Sequence, residues 1–133
     1  MEVFVKHFKI YSHSQEKNKA IKQGFSYPAL IFTPIWAIVK GMWVAGTIIL
    51  FLTLARYTFL ILFAKHYPFI DQILDLPLLI ISLVFGFKGN KWWESILTSR
   101  GFVLVDSIEA INQEQAINQY NYKLHEKYAL TNQ

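Results

Sequence analysis

The chain has 133 residues, 53% of them hydrophobic and none of them cysteine, with a formal net charge of +4 and a pI near 9.3. That length suits one ordinary domain rather than two, and the missing cysteine excludes disulfides, thiolate metal sites and cysteine nucleophiles. The mean hydropathy of +0.27 exceeds what a small water-exposed chain readily buries, so a lipid-embedded middle with aqueous ends is expected.

Residues 1–23 are polar apart from Val3–Tyr11, where β-branched and aromatic side chains alternate loosely and predict a short strand. Ser12–Lys22 is charged and predicts a loop running into a helical turn. No short apolar run follows a charged start here, so the first hydrophobic segment is expected to be retained rather than cleaved.

Residues 24–40 are apolar but interrupted by Pro28 and Pro34. Each proline removes a backbone donor and disfavours helix in the residue before it. Pro28–Val39 is shorter than the roughly 20 residues a crossing needs and predicts a re-entrant or interfacial helix. A three-span alternative, in which it crosses, is opposed by the charge pattern. Phe25, Tyr27, Pro28, Phe32, Pro34, Trp36 and Trp43, with Trp92 further on, supply the aromatic and proline side chains of a fixed wedge at the lipid boundary. One reading makes these a partner-docking surface; the other makes them a cover for the protein's own hairpin.

Residues 41–88 predict a transmembrane hairpin, with spans at Gly41–Ala64 and Pro68–Phe87 and a turn at Tyr67 and Pro68. Asp71, Asp75 and Pro77 weaken the start of the second span, and Lys88, Lys91, Trp92 and Trp93 close it. Residues 89–133 predict a strand at Phe102–Ile108, entered through Gly101, and then a helix. Asn112 with Gln115 three residues on resembles a capping box. Ile117, Tyr120, Leu124 and Tyr128 form one apolar stripe on that helix. The two strands fall on one side of the membrane and can pair. The expected class is an all-α membrane protein: a helical hairpin preceded by a re-entrant or interfacial helix, with a small cytoplasmic strand–helix element.

Lys6, Lys9, Lys17, Lys19 and Lys22 precede the apolar region and Lys88, Lys91 and Arg100 follow it, while Lys65, Asp71 and Asp75 lie between the long apolar runs. The positive-inside rule then puts both termini in the cytoplasm. These lysines are not interleaved with stacking aromatics, so no nucleic-acid partner is expected.

Arg56 is the informative charge, because a guanidinium within a span costs about 2.5–3.5 kcal/mol on insertion scales and needs a partner or a water path. Counting outward from a turn near His66 puts it beside Asp75. The pair reads either as a lock between two spans or as a polar element for an ion, a lipid headgroup or a partner helix. Asp71 and Asp75, one helical turn apart, make a weak metal signal without a histidine at coordinating spacing. His7, His13, His66 and His125 are scattered, and Ser26 is not in a nucleophile elbow. No catalytic, cofactor-binding or metal residues are nominated, and the chain is not expected to be an enzyme.

The run Gly24-Phe25-Ser26-Tyr27-Pro28-Ala29, then Phe32-x-Pro34-x-Trp36-Ala37 and Gly41-x-Trp43, resembles the signature of the DUF2628 family of small bacterial membrane proteins. Gly89-Asn90-x-Trp92 and Arg100-Gly101-Phe102 are similar to its later part. Tyr27 stands where tryptophan is usual, Thr33 where glycine is usual, and Trp93-Glu94 where basic residues often follow. The resemblance implies bacterial origin, an inner-membrane location and this topology, and supplies no mechanism. The expected function is therefore a non-enzymatic accessory or scaffold subunit of an inner-membrane complex, in contact with the lipid bilayer and with a membrane-protein partner or further copies of itself. The alternative is a lipid- or ion-handling protein using Arg56 with Asp71 and Asp75.

Overall fold

The computed structural model describes residues 4–63 and 65–133. Val3, which opens the expected first strand, and Ala64, which ends the expected first span, lie outside them. The elements in order are β1 (Lys6–Ser12), β2 (Lys19–Lys22), α1 (Tyr27–Ile31), α2 (Thr33–Val39), α3 (Trp43–Phe63), α4 (Ile70–Ser99), β3 (Val103–Ala110) and α5 (Gln113–Thr131). They fall into two compact units, one of Met1–Gly24 with Glu94–Gln133, the other of Phe25–Trp93.

The first unit corrects the all-α expectation. Its centre is a three-stranded antiparallel sheet in the order β2-β1-β3. Phe8 lies opposite Lys22 on one side and Ile108 on the other, and a register shift between Ile10 and Tyr11 kinks the β1–β3 pairing. Phe8, Ile10, Ala20, Ile108 and Ala110 bury one face of the sheet against Ala116 of α5, with Ile117 and Tyr120 alongside. β2 falls where a loop and helical turn are expected. Four residues with only Ala20 and Ile21 apolar show no period of their own, and the segment is extended because β1 supplies its ladder. Burial of each large apolar side chain here stabilises by about 1.5–3 kcal/mol.

Asn112 caps α5, its side chain accepting from the Gln115 amide at 2.8 Å. The Gln115 side chain in turn accepts from the Ile111 amide, also at 2.8 Å. Gln113 donates to the Ala20 carbonyl, which ties the first residue of α5 to β2. The expected stripe runs out partway along the helix: Ile117 and Tyr120 pack, whereas Tyr128 is exposed.

In the second unit Ser26 caps α1. The helix breaks at Phe32, whose backbone (φ −112°, ψ 38°) is not helical, and resumes as α2. Proline near the start of each piece explains the break, since Pro34 cannot donate and restricts Thr33. α2 stops at Gly41 (φ +91°), where Met42 donates to the Ala37 carbonyl and Gly41 to that of Ile38. That paired closure requires a left-handed residue and so favours glycine. The same closure at Gly101 (φ +90°) ends α4, with Phe102 donating to Leu97 and Gly101 to Thr98. α4 therefore runs past Phe87, the expected end of its span, because Gly89 and Asn90 do not interrupt the helix.

α3, with 21 residues, and α4, with 30, are long and apolar enough to cross a membrane. At 1.5 Å per residue α3 spans about 31 Å, close to a hydrocarbon core of about 30 Å. Only 11% of each most apolar window is buried within the protein, so their surfaces are not those of core helices.

Candidate functional site

The aromatic–proline element has two faces. Inward, Ser26, Ala29, Thr33, Trp36 and Ala37 are buried. They meet a stripe on α4 made by Ser82, Phe85, Gly86, Gly89, Asn90 and Trp93, spaced three and four apart and so on one side of the helix. The Ser26 amide donates to the Gly86 carbonyl at 2.8 Å. The Thr33 hydroxyl is 2.7 Å from the Ala29 carbonyl and 3.1 Å from the Ser82 hydroxyl. A Cβ at Gly86 would sit 2.6 Å from the Phe25 ring, and one at Gly89 would sit 2.9 Å from the Trp36 ring. On α3, a Cβ at Gly46 would meet the Pro34 carbonyl oxygen at 2.9 Å. The ammonium group of Lys40 lies 3.3 Å from the centre of the Trp93 ring, a cation–π contact. Both parts of the motif are thus one packing joint.

Outward, Tyr27, Ile31, Ile35 and Val39 repeat every fourth residue and are exposed, together with Pro28 and Phe32 and with Trp43 where α3 begins. The candidate partner residues therefore divide. Trp36 is 9% exposed and Phe25 packs on Gly86, whereas Trp43 is 64% exposed. Trp92 is half-buried against Phe85.

Arg56 of α3 and Asp75 of α4 form an ion pair through Nη2 and Oδ1. The arginine side chain is 15% exposed and the aspartate 58%. The Arg56 Nε is buried and has no hydrogen-bond partner among the described residues, an arrangement that costs free energy wherever it persists. Asp71, one turn away, stays exposed. Two hollows meet at this guanidinium. A cleft of about 400 Å³ between α3 and α4 is lined by Leu52, Ala55, Phe59, Leu74 and Pro77 among others, and is apolar except for Arg56. A second hollow of about 290 Å³ lies at the α1–α2 break beside Thr33, Thr53, Tyr57 and Ser82.

The sheet–helix unit holds a polar cluster that the sequence does not signal. Glu94 accepts from the Gln23 side chain at 2.7 Å and pairs with Lys9 at 3.5 Å. Burial, then the charge of Glu94 and a hydrogen bond to it, push the Tyr11 hydroxyl above its ordinary pKa. Burial, aided by Lys6, pushes Lys22 down. Tyr11 and Glu94 are 83 positions apart, and only the sheet brings them together. His13 stacks on Phe102 instead, with centroids 5.0 Å apart. Among the described residues, no three His, Cys, Asp or Glu side chains gather as a metal site would require.

These features define a two-unit chain with one three-stranded sheet–helix unit and one unit built on two membrane-length helices and a broken aromatic helix. No curated protein and no solved structure matches it. The family model described as "Protein of unknown function (DUF2628)" matches residues 4–98. The chain belongs to the DUF2628 family, and the matched stretch contains both halves of the packing joint.

Proposed function

We propose that this protein is a non-enzymatic accessory or scaffold subunit of the bacterial inner membrane, with α3 and α4 spanning the bilayer and both termini in the cytoplasm. The observation that carries this reading is the two-faced broken helix. Its inward side is consumed by packing on glycines, and its outward side offers Ile31, Phe32, Ile35, Val39 and Trp43 to another surface. Aromatic side chains on a braced backbone, here Phe32 and Trp43, are the anchors that protein interfaces favour. The basic segments flanking α3 and α4 support the orientation.

The test is purification of the tagged protein from its native membrane in mild detergent, with co-purifying proteins identified by mass spectrometry. Phe32→Ala combined with Trp43→Ala releases the partner while the protein stays in the membrane fraction. A partner retained by this variant, or none present with the wild type, overturns the reading. Because the chain has no cysteine, His66→Cys and Ser14→Cys report topology cleanly. In intact spheroplasts an impermeant maleimide labels the first and spares the second; the reverse pattern refutes the orientation.

A further inference from the structure

We infer that the cleft between α3 and α4 is a binding site for one anionic lipid, its acidic group on Arg56 and an acyl chain along the apolar walls. Three observations carry it. First, the guanidinium is only partly used. Asp75 occupies Nη2, while Nε is buried without an acceptor among the described residues. A guanidinium presents a planar fork of donors suited to carboxylate or phosphate oxygens. Second, α3 and α4 are joined by a short turn, yet they enclose a cleft of about 400 Å³ rather than closing on each other. That volume lies within the roughly 300–1,000 Å³ range of small-molecule sites. Third, its lining of Leu52, Ala55, Phe59, Leu74 and Pro77 is hydrocarbon, with Arg56 as the charge at its wall. An apolar slot with one cation matches a chain with one acidic head.

The depth is compatible. Arg56 is about 10 Å from the end of α3 at Phe63, at 1.5 Å per residue. Long cationic stems and local bilayer thinning bring such groups and lipid phosphates together. Asp75 competes for the same guanidinium and is more than half exposed, so it sets how tightly the head is held.

The inference rests on the membrane reading above, and the two fail differently. Loss of the protein from the membrane fraction defeats that reading. An unselective cleft in a protein that stays in the membrane defeats only this one. The experiment offers purified full-length protein equal mole fractions of phosphatidylglycerol and phosphatidylcholine in mild detergent and counts retained lipid by native mass spectrometry. Wild type retains the anionic lipid about ten-fold over the neutral one, the scale of one charge-assisted contact. Oleate competes for the site and inorganic phosphate, having no chain, does not.

Arg56→Gln removes the preference. Asp75→Asn raises it, because the competing carboxylate is gone; a purely structural ion pair predicts no rise. Ala55→Phe fills the cleft and removes both lipids. Should Arg56→Gln fail to fold, the last two variants decide. Equal retention of the two lipids by wild type, displacement by inorganic phosphate, or an unchanged preference in Asp75→Asn overturns the inference.

Discussion

Gly46→Ala tests whether the broken helix is braced by backbone contact or merely lies beside α3. The added Cβ would stand 2.5 Å from Ile38 Cγ1, 2.9 Å from the Pro34 carbonyl oxygen and 3.0 Å from the Ile38 amide nitrogen. The isoleucine tip can rotate away, but the other two atoms belong to the α2 backbone and move only with the helix. Overpacking of this kind costs about 1–3 kcal/mol. Alanine in place of glycine returns about 1 kcal/mol of helix propensity to α3. With two of three clashes against backbone the upper part of the range applies, and the net expectation is a loss of about 1–2 kcal/mol. Reversible unfolding in mixed micelles, followed by far-ultraviolet circular dichroism, measures it. Ala45→Gly at the neighbouring position supplies the propensity change without the clash. If Gly46→Ala proves as stable as wild type or more so, propensity has won and α2 is not held against α3 as described.

Two further outcomes follow from the packing and the polar cluster. Trp36→Ala should cost about 3–5 kcal/mol, as for a buried aromatic, whereas Trp43→Ala should stay within about 0.5 kcal/mol; equal losses in the same unfolding assay would undo the division into inward and outward faces. Tyr11→Phe removes the buried hydroxyl beside the Glu94 carboxylate and should cost about 1 kcal/mol at neutral pH. Because the folded-state pKa of Tyr11 lies above its ordinary value, its contribution is complete below about pH 10 and is lost as pH rises through the folded value. The gap in Tm between wild type and Tyr11→Phe should therefore narrow above pH 10. A gap that widens there contradicts the arrangement of Tyr11 and Glu94.

The parts of this fold legible in the sequence are those whose cause is local. α3 declares itself by a long apolar run whose one charge is Arg56, and the start of α5 by Asn112 and Gln115, whose caps need only neighbours in the chain. Arg56 and Asp75 can be matched by counting from a turn, since a hairpin makes residues equidistant from its bend into neighbours. β2 could not be read this way. Its four residues carry no alternation and are extended only because β1 pairs with them. The pairing of β1 with β3, from Lys6 opposite Ala110 to Ser12 opposite Val103, is the one the shared side of the two strands leads one to expect; what the all-α class misses is that β2 joins them in a three-stranded sheet. The extension of α4 beyond Phe87 does not show in the sequence because Lys88, Lys91, Trp92 and Trp93 read as the close of a span. Within the extension the Trp36 ring lies where a side chain at Gly89 would be. Glu94 stands out in sequence only as an acidic residue where basic ones often occur, and its three partners are distant.

The seat of α1 and α2 on α4 also imposes an order of events during synthesis. Phe25 and Trp36 leave the ribosome some 50–60 residues ahead of Gly86 and Gly89, which receive them. At elongation rates of roughly 5–20 residues per second, that is an interval of about 3–12 s. α3 arrives first and can take α2 through Gly46, but the rings have nothing of their own chain to rest on until α4 has been made. A nascent chain stalled in that window displays an unseated aromatic segment, the form of this protein most exposed to aggregation and to proteolysis.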